Sequence, residues 1–175
     1  MRAILFGFLL VVAPVTLTGG VALAAESPIK PFIGTFKGDA VSKNRDSIYF
    51  GTSLRGFGLT IKAEGDGFAL VTTNTRKRGG KSKTKTTTLN FYPAKRAAVF
   101  KARQSGEPAD GKAYIWAEVK GDTLGVYVLA VGKNGGYDLL IYKRTLIKDG
   151  LKIVFRRIRD GSPVRIVFGR AKRIK

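Results

Sequence analysis

The sequence predicts an all-β protein, an antiparallel up-and-down β-barrel of about 8–10 strands. Runs of about 6 to 10 residues rich in Val, Ile, Thr, Tyr and Phe alternate with short turns built on Gly, Asn and Asp. Such runs form strands, and glycine supplies the positive φ that tight hairpins require. After the first 24 residues, no segment has a clear helical period.

The first 24 residues have the layout of a secretory signal peptide. Arg2 supplies a positive charge, an apolar run covers residues 3–13, and Ala22 and Ala24 form the A-x-A pattern that precedes cleavage. An uncleaved membrane anchor is the alternative, because residues 3–25 are long enough to span a bilayer. Proline and paired glycines interrupt this stretch and favour cleavage.

Cleavage would leave residues 25–175 as a single barrel domain of 151 residues with a net charge of +19. The sequence has no cysteine, so it has neither a lipobox cysteine nor a disulfide. Small exported domains of animals usually carry disulfides, and their absence favours a bacterial periplasm. We therefore expect a periplasmic or secreted protein; the sequence does not determine its oligomeric state.

Ten strands are predicted in the order of the chain. They lie near 32–41, 55–63, 67–75, 84–92, 97–103, 113–120, 123–131, 137–146, 151–158 and 163–171. Turn signals separate them, for example EGDG at 64–67, KGD at 120–122 and RDG at 159–161. The segment from Ser42 to Ser53 is the one place for a short helix or a lid.

Period-two alternation assigns the faces of the later strands. The predicted inner phases are Leu124, Val126, Val128 and Ala130, then Tyr137, Leu139 and Ile141, then Leu151, Ile153 and Phe155, then Val164, Ile166 and Phe168. The intervening Lys152, Arg156, Arg165 and Arg170 are predicted to face water. A sandwich would need longer crossings between strands, and an outer-membrane barrel would need an apolar outer band. Both alternatives are therefore less favoured than a closed soluble barrel.

The stretch PFIGTFKG at residues 31–38 resembles the first strand of the calycin barrels, the lipocalins and fatty-acid-binding proteins. The resemblance implies that Phe36 takes the place of their tryptophan and closes the floor of the barrel. GLTIKAEGDGFALVTT at residues 58–73 is similar to their hairpin with a central Gly-Asp turn. The last strand, PVRIVFGRAKR, lacks the Arg-x-Tyr pair that holds a carboxylate in fatty-acid-binding proteins, so no ligand residue carries over.

The composition argues against catalysis. The sequence has no His and no Cys, so the commonest general base, the thiol nucleophile and the better transition-metal ligands are missing. Most of the aspartates fall in turns. We expect a protein that is not an enzyme and has no cofactor and no metal site.

One functional hypothesis is a small apolar or amphipathic anionic ligand bound inside the barrel. The candidate ligand-binding residues are Arg55, Trp116, Tyr127, Tyr142 and Arg144. The aromatic residues could instead be ordinary core, and each arginine could extend its head to solvent. If these residues bind a ligand, the chain is a lipid-binding module of the periplasm. If they are core residues, the barrel has a filled interior.

The alternative hypothesis is an envelope-associated protein whose cationic surface binds anionic glycolipid, cell wall or a protein partner. It rests on the basic segment RKRGGKSKTK at residues 76–85. The candidate anionic-surface residues are Arg76, Lys77, Arg78, Lys81, Lys83 and Lys85. The same segment could be a solvated hairpin loop. Nucleic acid is not favoured as a partner, because export separates the chain from it and no aromatic pair interleaves the segment.

Overall fold

The computed structural model describes residues 26–44, 53–78 and 81–174; at 41–44, 53–55, 76–78 and 81–83 the description is confined to the backbone. The strands in these ranges are β1 (Gly34–Asn44), β2 (Ser53–Glu64), β3 (Gly67–Arg78), β4 (Lys81–Pro93), β5 (Val99–Ala102), β6 (Tyr114–Lys120), β7 (Thr123–Val131), β8 (Tyr137–Ile147), β9 (Gly150–Arg159) and β10 (Ser162–Arg173). Two short 3-10 helices cover Lys30–Phe32 and Pro108–Asp110. No helix in the described ranges has the length and hydropathy to cross a membrane.

The ten strands pair in sequence order and close into a barrel. Each strand is antiparallel to the next, and β1 completes the ring by pairing with both β2 and β10. Phe36, for example, pairs with Leu59 on one side and with Arg173 on the other. A closed ring leaves no free sheet edge. The predicted all-β, antiparallel up-and-down barrel is confirmed.

Hairpin turns within the described residues lie where the sequence predicts them. Gly65, Gly121 and Gly161 have φ values of 54°, 54° and 79°, in the left-handed region that glycine adopts at least cost. The short helix or lid predicted between Ser42 and Ser53 falls mostly on residues 45–52, outside the described ranges. The described part of that segment belongs to β1 and β2.

The faces of β8 and β10 differ from the prediction. On β7 and β9 the predicted inner phases are correct, since Val126 and Ile153 line the interior. On β10 the inner residues include Arg165 and Val167, whereas Phe168 is 45% exposed. The prediction that Arg165 faces water is therefore wrong.

On β8 the inner phase contains Tyr142 and Arg144, so Tyr137, Leu139 and Ile141 face outward. The physical reason is common to both strands. An apolar phase identifies the inner face only when the other phase is polar, and here the outer wall is itself partly apolar.

The N-terminal segment closes one end of the barrel, which we call the floor. Ile29 and Phe32 are buried there, and Phe36 on β1 is fully buried, as predicted. The guanidinium carbon of Arg173 lies 4.6 Å from the centroid of the Phe36 ring, and this guanidinium also donates to two backbone carbonyls of the N-terminal segment. The start of the barrel and its last strand are therefore held together at the floor.

Aromatic and aliphatic side chains fill the interior directly above the floor. The Phe68 ring stacks on the Phe91 ring at 4.7 Å between centroids and meets the Phe100 ring edge-on at 5.2 Å. Leu124 and Leu151 are fully buried in the same cluster. The floor half of the barrel is thus a packed core, which sets the depth of any cavity above it.

We expect Gly38→Ala to destabilise the barrel by about 2 kcal/mol. Gly38 lies on β1, where a Cβ atom would overlap the carbonyl oxygen of Arg170 on β10. The matched control is Gly58→Ala on β2, where the nearest atom to a new Cβ is Thr73 Cβ at 3.7 Å. Urea denaturation of the two variants measures the difference, and equal midpoints would contradict the close approach of β1 and β10.

Candidate functional site

The half of the barrel opposite the floor contains a cavity of about 780 Å³. Ligand pockets for small molecules usually measure about 300–1,000 Å³, so this cavity has the size of a binding site. Its apolar lining consists of Ala40, Phe57, Leu59, Leu70, Leu89, Ile115, Val126, Val128, Ile153, Phe155 and Val167. We call the open end of the cavity, away from the floor, the mouth.

Arg144 is a buried charge at the bottom of this cavity. It pairs on β8 with Leu124 and Ile153 of the adjoining strands, and it is only 5% exposed. Its Nη1 atom is buried without a hydrogen-bond partner, and no acid in the described ranges forms an ion pair with it. Burial lowers the pKa of Arg144 to about 10, so the guanidinium stays protonated at neutral pH.

An aromatic pair continues the same wall of the cavity. The Arg144 guanidinium carbon lies 5.6 Å from the Tyr142 ring centroid, and the Tyr142 ring lies 4.7 Å from that of Phe155. On the other side of Phe155, the guanidinium carbon of Arg165 lies 5.9 Å from the Phe155 ring centroid. Burial raises the pKa of Tyr142, so its hydroxyl stays neutral. The wall therefore combines apolar ring faces with a cation at each end of the pair.

Polar side chains line the cavity towards the mouth. Asn74 and Lys85 are direct partners on β3 and β4, and both contribute to the lining. Arg165 contributes from β10. A ligand that reached Arg144 would therefore pass a mouth with two cations before it met the apolar walls.

A carboxylate with two arginines lies at the mouth ends of β8 and β9. Arg157 donates to Asp138 from Nε at 2.9 Å and from Nη2 at 2.6 Å, and Arg159 adds bonds of 3.2 and 3.3 Å. These hydrogen bonds hold the pKa of Asp138 well below its usual range. The bidentate pair fixes the geometry of two strands that carry the cavity wall.

Asp138→Asn is expected to cost about 1 kcal/mol of stability at neutral pH, because the pair is partly exposed to solvent. The folded-state pKa of Asp138 is lowered, so its contribution is present above the unfolded value of about 4 and is lost as the pH falls below it. Urea denaturation of wild type and variant should therefore give curves that converge towards acid. Asp66→Asn, in an exposed turn, is the control; a gap that stays constant with pH would contradict the role of Asp138.

The structure brings two of the five candidate ligand-binding residues together. Tyr142 and Arg144 line the cavity. Trp116 and Tyr127 were candidates for the interior, but they lie on the outer face, where their rings stack at 4.9 Å between centroids. The residues next to Trp116 on β6 take the inner positions instead. Arg55 pairs with Ala40 across β1 and β2, and its side chain lies outside the description.

Residues 76–78 and 81–85 of the basic segment form the facing ends of β3 and β4. Arg76 pairs with Lys83, and Arg78 pairs with Lys81. Of the six candidate residues, Lys85 is the one whose side chain is described, and it lines the mouth of the cavity. The binding of this segment to an anionic surface stays a prediction.

Sequence reasoning missed Arg165 and Phe155 as neighbours in one site. Period-two alternation predicts an inner position for Phe155 without identifying its partner, and it predicts that Arg165 faces water. Their shared wall depends on the pairing of β8 with β9 and of β9 with β10. Spacing along one strand carries no signal for such a contact between strands.

Comparisons with known proteins support the fold. No protein-family model matches the chain, and neither does any curated protein. The chain is similar to a protein of unknown function from the DUF3598 family of Nostoc punctiforme, with 17% identity over 83% of this chain and a TM-score of 0.60. It spans about half the length of that protein, 49%.

A second solved structure is the S-type phycobiliprotein lyase CPES from Guillardia theta. It shows 8% identity over 84% of this chain and 93% of its own, with a TM-score of 0.39. The first likeness concerns the fold alone, and the second is too distant to support an argument. Fold and cavity together define a closed antiparallel β-barrel with a hollow upper half.

Proposed function

We propose that this chain is an exported binding protein that takes a small amphipathic anion into its barrel. In this proposal the anionic group pairs with Arg144 and the apolar part fills the cavity towards the mouth. The observation that carries it is the buried Nη1 of Arg144, which has no hydrogen-bond partner beside an apolar cavity. A buried charge without a partner is costly, and an anionic group from a ligand would supply that partner.

The apolar walls supply the affinity in this proposal. Burial of each CH₂ group contributes about 0.8 kcal/mol, so a tail of about ten groups contributes about 8 kcal/mol. Association costs about 4 kcal/mol or more. The tail alone would therefore bind weakly, and the ion pair with Arg144 would decide both affinity and the choice of an anionic head.

Export and the absence of catalysis are parts of the same proposal. The signal-like first 24 residues support a periplasmic or secreted location, and the lack of His and Cys supports binding rather than conversion of the ligand. The basic mouth residues Lys85 and Arg165 favour the approach of an anion by long-range attraction.

Titration with three probes of equal chain length tests the proposal. Dodecanoate, dodecanol and dodecyltrimethylammonium differ in the charge of the head group. We expect delipidated protein to bind dodecanoate most tightly in calorimetric titrations, dodecanol more weakly and the cation least. Equal affinities, or no binding of dodecanoate, would contradict the proposal. Mass spectrometry of an organic extract of the purified protein should find an anionic amphiphile.

A further inference from the structure

The outer wall of β6–β10 carries two adjacent rows of mostly apolar side chains. In the first row Trp116 pairs with Tyr127, Tyr127 with Ile141, Ile141 with Arg156, and Arg156 with Ile166. In the second row Glu118 pairs with Gly125, Gly125 with Lys143, Lys143 with Val154, and Val154 with Phe168. We call these two rows the apolar wall; its apolar members are Trp116, Tyr127, Ile141, Val154, Ile166 and Phe168.

The other side of the barrel has a different surface. On the outer face of β3 and β4, Thr73 pairs with Thr86 and Thr75 with Thr84, with hydroxyl oxygens 3.3 and 3.1 Å apart. These four threonines give that side of the barrel a polar surface. Apolar side chains are therefore concentrated on one side of the cylinder, and Phe168 is the most exposed of them at 45%.

Cations are set into the apolar wall and along its floor edge. Arg156 and Lys143 lie within the two rows, and Lys152 and Arg170, which pair with each other, form the next row towards the floor. All four are exposed. The one acid in the two rows is Glu118, at the edge, and it accepts a hydrogen bond of 2.6 Å from the Tyr127 hydroxyl.

We propose that the apolar wall docks on the surface of a bilayer that contains anionic phospholipid. The Val, Ile and Phe side chains of the apolar wall would enter the head-group region, and its lysines and arginines would contact lipid phosphates. The Trp116–Tyr127 pair would lie at the interface, where such rings are enriched. This docking does not depend on a ligand in the cavity. It uses a surface other than the basic segment at residues 76–85.

The charges of the apolar wall favour an anionic bilayer over a second copy of the chain as the partner. A symmetric dimer through the apolar wall would bring Lys143 and Arg156 of both copies together, and like charges at an interface oppose association. A bilayer-spanning barrel needs an apolar band around its whole circumference, whereas the threonines of β3 and β4 interrupt any such band. An anionic surface on one side fits both observations.

The test is flotation with vesicles of equimolar phosphatidylcholine and phosphatidylglycerol, compared with vesicles of phosphatidylcholine alone. Trp116, the single tryptophan, reports contact when the lipid carries a nitroxide on its acyl chain. We expect binding to the anionic vesicles alone, quenching of Trp116, and loss of both as salt screens the charges. Lys143→Gln with Arg156→Gln should weaken binding about fivefold for each charge removed.

Matched variants decide where the contact lies. Ile166→Ser with Phe168→Ser should abolish the quenching, whereas Val71→Ser on β3 should not. Lys62→Gln with Lys95→Gln, which removes two charges elsewhere, should change affinity much less than the pair on the apolar wall. Binding without quenching, equal effects of both charge pairs, or no vesicle binding would overturn the proposal. A dimer that sedimentation velocity detects, and that Ile166→Ser with Phe168→Ser dissociates, would also overturn it. The charge pair and the quenching remain informative if the apolar variant fails to fold.

Discussion

Replacing Arg144 with methionine is expected to abolish selective binding of dodecanoate and, at the same time, to stabilise the empty protein. The guanidinium is buried at the bottom of the cavity, and its Nη1 lacks a partner. Apolar replacement of buried charged groups has stabilised other proteins by about 1–4 kcal/mol. Removal of one partner of a buried ion pair lowers affinity at least about 30-fold, or about 2 kcal/mol.

Two measurements check this prediction on the same samples. Thermal denaturation without ligand should give a higher midpoint for Arg144→Met than for wild type. Titration should show dodecanoate binding no better than dodecanol. Arg156→Met, on the exposed outer face, is the matched control and should leave dodecanoate affinity unchanged. A variant that loses stability and keeps its preference for dodecanoate would show that Arg144 serves the core rather than a ligand.

Phe36→Ala is expected to remove about 4 kcal/mol of stability. The ring is fully buried at the floor, and truncation also removes the surface on which the Arg173 guanidinium rests. Phe168→Ala removes the same atoms from a ring that is 45% exposed, so its cost should be much smaller. Urea denaturation measures both, and similar midpoints for the two variants would contradict a closed, packed floor.

The sequence predicted the strands well because their signals are local. Turn glycines such as Gly65 and Gly121 and the runs of β-branched residues between them fix the number and the order of strands. The faces of two strands were predicted wrongly. β8 and β10 carry apolar residues in both phases. The two-residue alternation therefore does not distinguish the outward-facing Ile166 and Phe168 from residues that face the interior.

The site was predictable only in part for the same reason. Arg144 and Tyr142 were candidates because they are an arginine and a tyrosine in a strand, and they lie two residues apart on one face. Trp116 was a candidate on residue type alone, and it faces outward. The partners Phe155 and Arg165 come from neighbouring strands, and their positions depend on a register that one strand does not encode.

The barrel has a packed half and a hollow half, and substitutions in the two halves have different consequences. Substitutions around Phe68 and Phe91 disturb packing on which the whole fold depends. Substitutions such as Val128 or Val167 to larger or smaller residues change the shape of an empty space and leave the packed layer intact. A few changes in the upper lining could therefore reshape the cavity while the protein keeps its resistance to unfolding.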